Sequence, residues 1–212
     1  MMTNQRKIIA ITGTIGAGKS AAGKILQELG ADVIDADDLA RQAVTPNSPG
    51  LKQIETVFGP QYINHDGTLN RQALGNEVFK HPEKLKTLNN LIHPIVNRLY
   101  KEKITTLQEV PTHHPIIYLV PLLFEANIPL DGFTEIATIS TKPELAITRA
   151  MQRDGTSHES IKERMASQLS DKEKCERSTI VILNNGSLDE LAANIKSIYP
   201  RFCNIDTNTA FK

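Results

Sequence analysis

The chain has 212 residues, 40% of them apolar, and its 24 Lys and Arg are balanced by 24 Asp and Glu. A formal charge of zero excludes the broad basic face of a nucleic-acid binder, but leaves room for a local basic pocket. No run approaches the roughly 18 apolar residues of a membrane span, so the sequence predicts a cytoplasmic chain of one domain, or of one domain carrying an insertion.

From the N-terminus, the polar segment 1–7 leads into an apolar run too short for a secretory h-region. Ile8-Ile9-Ala10-Ile11 reads as a buried strand closed by Gly13. Ala22, Ile25, Leu26 and Leu29 fall on one face of a helix stopped by Gly30, and Val33-Ile34 makes a second short strand, completing a βαβ opening. From Asp38 to about Gln108 the pattern turns helical. Leu51, Ile54 and Phe58 mark one helix, Pro82 opens another, and Leu91, Ile95 and Leu99 mark a third with Pro94 near its start; Tyr62-Ile63 is the one candidate strand in this stretch. Three unbroken apolar runs follow, at 116–120, 136–139 and 180–183, expected as parallel strands covered on both faces. Helices are predicted at 143–153, 158–169 and 187–198, the last capped by Ser187, and the polar tail 201–212 is expected to fray. Cys175 and Cys203 form no CxxC pair and read as free thiols of a reducing compartment.

Gly13-Thr14-Ile15-Gly16-Ala17-Gly18-Lys19-Ser20 satisfies G-x-x-x-x-G-K-[ST] at every required position. Glycines let backbone N–H groups turn inward as an anion nest. The helix that starts near Lys19 adds unpaired N–H groups and the positive end of its dipole. Lys19 supplies a point charge for the β- and γ-phosphates, and Ser20 a hydroxyl for Mg²⁺. The motif follows a strand and opens a helix, as its chemistry requires, so nucleotide phosphate binding is the expectation.

Strand 116–120 ends in Pro121 with Glu125 beyond it, rather than in the acid of a motor ATPase. No Asn-Lys-x-Asp segment is present to read guanine. The second strand ends in Asp35-Ala36-Asp37-Asp38. Alternation places Asp35 and Asp37 on one side of an extended chain, at the carboxyl end of a strand where open α/β sheets bind ligands. A carboxylate there can take the proton of an acceptor hydroxyl or help hold Mg²⁺; equally, Asp35 or Asp37 can cap a helix that starts at Asp38. Arg149 and Arg153 are four apart on a helix, as a phosphate clamp or as a solvated face. His93 reads as a buried structural histidine, His113-His114 as a solvated loop, and Thr141-Lys142-Pro143 as a plain strand-to-helix turn.

These segments, with Leu39-Ala40-Arg41, Asp66-Gly67-Thr68-Leu69, Leu91-Ile92-His93-Pro94, Val120-Pro121-Leu122-Leu123-Phe124-Glu125, Gln152-Arg153-Asp154, Arg164 with Gln168, and Asn184-Asn185-Gly186, resemble the dephospho-CoA kinase family over nearly the whole chain. The resemblance implies an α/β fold with a five-stranded parallel core over 1–37, 111–142 and 171–203, a helical acceptor-binding insertion over 38–110, and a lid over 143–170. It implies transfer of the ATP γ-phosphoryl group to the ribose 3′-hydroxyl of dephospho-CoA, with ATP and Mg²⁺, in a monomer or weak homo-oligomer that binds neither nucleic acid nor membrane. Asp37 is then the base, and Lys19 and Arg149 its catalytic partners. ATP is held by Gly13, Gly16, Ala17, Gly18, Lys19, Ser20, Ala21, Arg149, Asn185 and Gly186. Asp37, Arg41, His93, Pro121, Leu122, Leu123, Glu125 and Arg153 lie beside the acceptor, and Mg²⁺ meets Ser20 directly and Asp37 through water. Thr14, Ala17, Ala21, Ser178-Thr179 and Leu183 depart from the family's usual residues. The alternatives are a kinase of another small hydroxyl acceptor, such as a nucleoside or shikimate, and a non-catalytic nucleotide sensor.

Overall fold

The structure is a computed structural model and describes residues 5–126 and 128–203. Five strands, β1 (Ile8–Thr12), β2 (Asp32–Asp35), β3 (Ile116–Leu119), β4 (Glu135–Ser140) and β5 (Ile180–Leu183), form one sheet in the order β2-β3-β1-β4-β5. Pairing is parallel with Ile8 opposite Ile116, Ile9 opposite Glu135 and Ala137 opposite Ile180. The chain divides into two compact units, one running to Ile34 and resuming at Leu107, the other Asp35–Thr106.

In the first unit the central strands β1 and β3 are buried over almost their whole length because helices cover both sides. Ile9, Ala10, Ile11, Ile116 and Ile117 have no exposed surface. Helix α1 (Lys19–Glu28) buries Ala22, Ile25 and Leu26 against this sheet, each large side chain contributing about 1.5–3 kcal/mol. Gly30 turns the chain at φ 98°, and the His114 ring lies where a side chain at this position would go. Arg6, 4% exposed, ties the sheet's edge together: it donates to the His114 and Leu107 carbonyls and to Asp32 Oδ2 at 2.5 Å.

The second unit holds α2 (Ala36–Ala43), α3 (Pro49–Phe58), a 3-10 turn at Pro60–Tyr62, α4 (Arg71–Lys80) and most of α5 (Pro82–Gln108). Its core is Ala43, Val44, Ile54, Leu74 and Val78, with Leu88, Ile92, Ile95, Val96 and Leu99 of α5 packed on it. The sequence predicts two helices here, the second with Pro94 near its start, but α5 is one helix of 27 residues with Pro94 inside it. An interior proline costs about 3 kcal/mol; apolar side chains packed on both sides of Pro94 hold the helix through it. Tyr62-Ile63 is not a strand: Tyr62 closes the 3-10 turn, and Ile63 makes an isolated antiparallel bridge to Leu69.

Helices α6 (Pro143–Asp154), α7 (His158–Ala166), α8 (Asp171–Glu176) and α9 (Leu188–Phe202) complete the first unit. Ser187 caps α9 as expected, accepting from Glu190 N–H. That helix runs beyond Ile198 through Phe202, which is fully buried; the expected fraying therefore fails at residues 201–203, and residues 204–212 lie outside the described set. β5 is also corrected. As the edge strand it exposes Val181 and Leu183 while burying Ile180 and Ile182, so an unbroken apolar run here does not mean two covered faces. Cys175 and Cys203 are free thiols.

Candidate functional site

The phosphate loop joins β1 to α1. Gly16 has φ 74° and Gly18 φ 98°, left-handed backbone that favours glycine. Space is restricted as well: a Cβ on Gly16 would run into the Ala146 carbonyl of α6, and one on Gly18 into the Asn184 amide. The loop is thus pressed between α6 and the β5–α9 turn. Lys19 Nζ donates to the Gly13 and Thr14 carbonyls at 2.7 and 3.0 Å, which keeps its ammonium at the loop. Ser20 follows, exposed, in the first turn of α1. Ala17 is fully buried and Ala21 half-buried, so neither presents a polar side chain to a ligand.

Thr141 does more than make a turn. It is 2% exposed and donates to the carbonyls of Ala17 (3.1 Å) and Asn184 (3.2 Å). Asn184 Nδ2 also donates to Ala17 O at 2.7 Å. Arg149, half-buried on α6, donates to the carbonyls of Asn184 (2.9 Å) and Gly186 (2.8 Å), and Asn185 Oδ1 accepts from Lys142 N–H. The predicted ATP contacts Gly13, Lys19, Arg149, Asn185 and Gly186 are thus hydrogen-bonded within one packed assembly, against which Gly16 and Gly18 are closely pressed.

Arg153 does not join them. Its guanidinium forks onto Asp154 at 2.6 and 3.0 Å, and Arg164 reaches the same carboxylate at 2.8 Å. Hydrogen bonding from Arg153, reinforced by Arg164, holds Asp154 down at about 2. The shared helical face of Arg149 and Arg153 therefore does not converge their charged ends. Ile15 of the phosphate loop packs with Ile147, Ala150 and Ile161 of α6 and α7, and its N–H donates to Gln168 Oε1.

The turn after β3 is anchored from below. Lys174 is fully buried; its Nζ donates to Pro121 O at 3.0 Å and to Glu125 Oε1 at 2.7 Å. Leu169 N–H donates to the same oxygen, and Thr12 Oγ1 to Pro121 O. Burial pushes the Glu125 carboxyl up, but the Lys174 and Leu169 hydrogen bonds together hold it below the usual glutamate range. Leu122 is 43% exposed whereas Leu123 has no exposed surface, so of these two neighbours of the expected acceptor only Leu122 offers its side chain, and the Leu123 side chain belongs to the core. His114 is corrected too. It is half-buried and shares a 2.9 Å hydrogen bond with Tyr199 OH, while His113 is exposed as expected.

In the second unit, the chain stops being extended at Asp35. This residue is the N-cap of α2 and accepts from Asp37 N–H at 2.8 Å, a contribution of about 1 kcal/mol. Asp37 lies in the first turn of the helix, so strand alternation does not relate the two. Capping falls to Asp35, and the Asp37 carboxylate is left exposed. Burial, with Asp37 and Asp38 adding to it, raises Asp35 above the usual aspartate range despite the Asp37 N–H. Arg41, one turn after Asp37, pairs with exposed Asp38 at 2.5 Å. His93 is exposed on α5 rather than buried. The spacing of its apolar neighbours suggested a helix apolar all round, but α5 is only partly covered and leaves His93 on its open side. Sequence reasoning missed Lys174 and Thr141, which carry no motif and become visible only when folding buries them.

Comparison with known proteins bears on the same residues. A sequence profile of the dephospho-CoA kinase family matches residues 7–190. The dephospho-CoA kinase of Acinetobacter baylyi is 36% identical over 197 residues, covering 93% of this chain and 98% of that protein. Among solved structures, the protein TT1252 from Thermus thermophilus aligns with a TM-score of 0.78 at 34% identity, covering 93% of this chain and 98% of that one. The dephospho-CoA kinase from Campylobacter jejuni aligns with a TM-score of 0.63 at 26% identity over the same shares.

Proposed function

This chain belongs to the dephospho-CoA kinase family, ATP-dependent phosphotransferases of the final step of coenzyme A biosynthesis, and we propose how its residues divide that work. The observation that carries the reading is the phosphate loop, whose Gly16 and Gly18 backbone leaves no room for side chains and whose Lys19 stays docked at the loop. Backbone N–H groups of the loop and the start of α1 bind the phosphates of ATP, and Lys19 exchanges its carbonyl contacts for phosphate oxygens. Asp37 accepts the proton of the ribose 3′-hydroxyl of dephospho-CoA as that oxygen attacks the γ-phosphorus. Arg149 offers a planar, permanently charged fork to the transferring group.

Asn185 and Gly186 border the adenine, and Arg41, His93, Pro121, Leu122, Glu125 and Arg153 border the acceptor. The exposed hydroxyl of Ser20 fits a direct Mg²⁺ contact, and the exposed carboxylate of Asp37 fits one through water, as suits an ion that keeps several waters; when bound, Mg²⁺ neutralises charge on the β- and γ-phosphates. Residues 143–170 act as the lid, 38–110 as the acceptor-binding insertion, and 1–37, 111–142 and 171–203 as the nucleotide core. The working form is a cytoplasmic monomer or weak homo-oligomer.

ADP release measured with ATP and a panel of acceptors tests the reading. Dephospho-CoA is expected to stimulate turnover well above shikimate or free nucleosides, with CoA as product. No acceptor-stimulated release would point to a sensor, and preference for shikimate to a different kinase.

A further inference from the structure

Arg71 opens α4 directly after its Asn70 cap, and its Nη2 donates to the Arg41 carbonyl at 3.4 Å. The Arg71 guanidinium thus rests on the backbone of α2 at the residue that carries a second guanidinium, within the second unit. Arg41 has a carboxylate at hand in Asp38; among the described residues Arg71 pairs with none. Like charges in one neighbourhood repel. Burial, aided by the Arg41 charge, depresses Arg71 from its ordinary value. Such an arrangement is unfavourable in the free protein and becomes favourable when an anion with several oxygens meets both forks.

We propose that Arg71, acting with Arg41, binds the diphosphate of the acceptor. The assignment rests on the dephospho-CoA kinase reading and adds a residue to it. Asp37 and Arg41 are four apart on α2 and so neighbour each other on one face, separated by one turn of about 5.4 Å. The acceptor's ribose carries the reacting hydroxyl at C3′ and the diphosphate on C5′, on either side of one sugar ring. A ribose whose 3′-hydroxyl meets Asp37 can therefore direct its 5′-diphosphate along that face toward Arg41, where Arg71 adds a second fork. Asp38 then gives up its exposed contact with Arg41, an exchange that costs little because surface pairs contribute at most about 1 kcal/mol.

Steady-state kinetics of Arg71→Ala and Arg71→Lys, with dephospho-CoA and ATP varied separately, test this. Arg71→Ala is expected to raise KM for dephospho-CoA about 10- to 100-fold, the range for a lost hydrogen bond to a charged group. Turnover and KM for ATP should stay within about twofold of the unaltered chain. Arg71→Lys should recover part of the affinity, since it restores charge but not the fork. An unchanged KM for dephospho-CoA overturns the assignment, as does a parallel fall in turnover and melting temperature that lysine does not relieve. If the unaltered chain shows no turnover on dephospho-CoA, the activity itself falls and the assignment with it; normal turnover with an indifferent Arg71 removes the assignment alone.

Discussion

Lys174 and Glu125 form an ion pair of 2.7 Å in which the lysine has no exposed surface and the glutamate side chain keeps 16%. The pair joins α8 to the turn after β3, and Pro121 O ties it to the end of β1 through Thr12. Removing one partner of a buried pair strands the other charge at a cost of about 3–5 kcal/mol. For a chain of this size each kcal/mol moves the melting temperature by about 2–4 °C. Lys174→Met is therefore expected to lower Tm by on the order of 10 °C, and the double change Lys174→Met with Glu125→Leu by clearly less. Calorimetry of the three proteins checks this; additive losses would show that the charges do not interact.

Gly16→Ala places a Cβ against the Ala146 carbonyl at a φ of 74°. Neither α6 nor the loop can yield without disturbing the other. Backbone strain of about 1–3 kcal/mol is expected to appear as a 10-fold or greater loss of ATP affinity, measured by titration calorimetry. The contrasting change Gly67→Ala, at a site with open space around it, should leave ATP affinity unaltered. Equal effects at both positions would remove the argument from close approach.

Asp37→Asn keeps size and helix position but cannot take a proton. With Asp35 already serving as the cap of α2, this substitution should not unravel the helix. Turnover is expected to fall by about 10²-fold or more, with ATP affinity within about threefold. Near-normal turnover would exclude Asp37 as the base.

Asp154 holds Arg153 of its own helix and Arg164 of α7. Its folded value of about 2 lies below the ordinary 3.8, so its contribution is present above about pH 4 and is lost as pH falls toward 2. Asp154→Asn should lower Tm by a few degrees at pH 6, as befits partly exposed pairs. The difference from the unaltered chain should shrink steadily as pH falls from about 4 through 2. A difference that stays undiminished over that range would rule out a charge-dependent link between α6 and α7.

How much of this was legible in the sequence varied from residue to residue. β1, the phosphate loop and α1 could be read because their signals are local: an apolar run, glycines that need unusual backbone, and a 3.6-residue period. Asp35 and Asp37 were visible as candidates, but assigning their roles required knowing where extended backbone gives way to helix, and the Asp37 N–H decides that. Lys174 sits in Ser170-Asp171-Lys172-Glu173-Lys174, which reads as a solvated run until α8 turns that lysine inward. The apolar character of Val181 and Leu183 pointed to burial, because position at the edge of a sheet leaves no mark on a strand's own residues. The acceptor chemistry came from the joint order of dispersed motifs, which the family match later supported.

The hydroxyl of Thr141 carries a single proton and lies between two carbonyl oxygens, those of Ala17 and Asn184. With Asn184 Nδ2 also fastened to Ala17, the glycine-rich segment and the Asn184–Gly186 turn are clasped at a set separation. The fold itself, and not whatever binds, therefore sets the distance between those two segments, and any molecule spanning them would have to match a length fixed in advance.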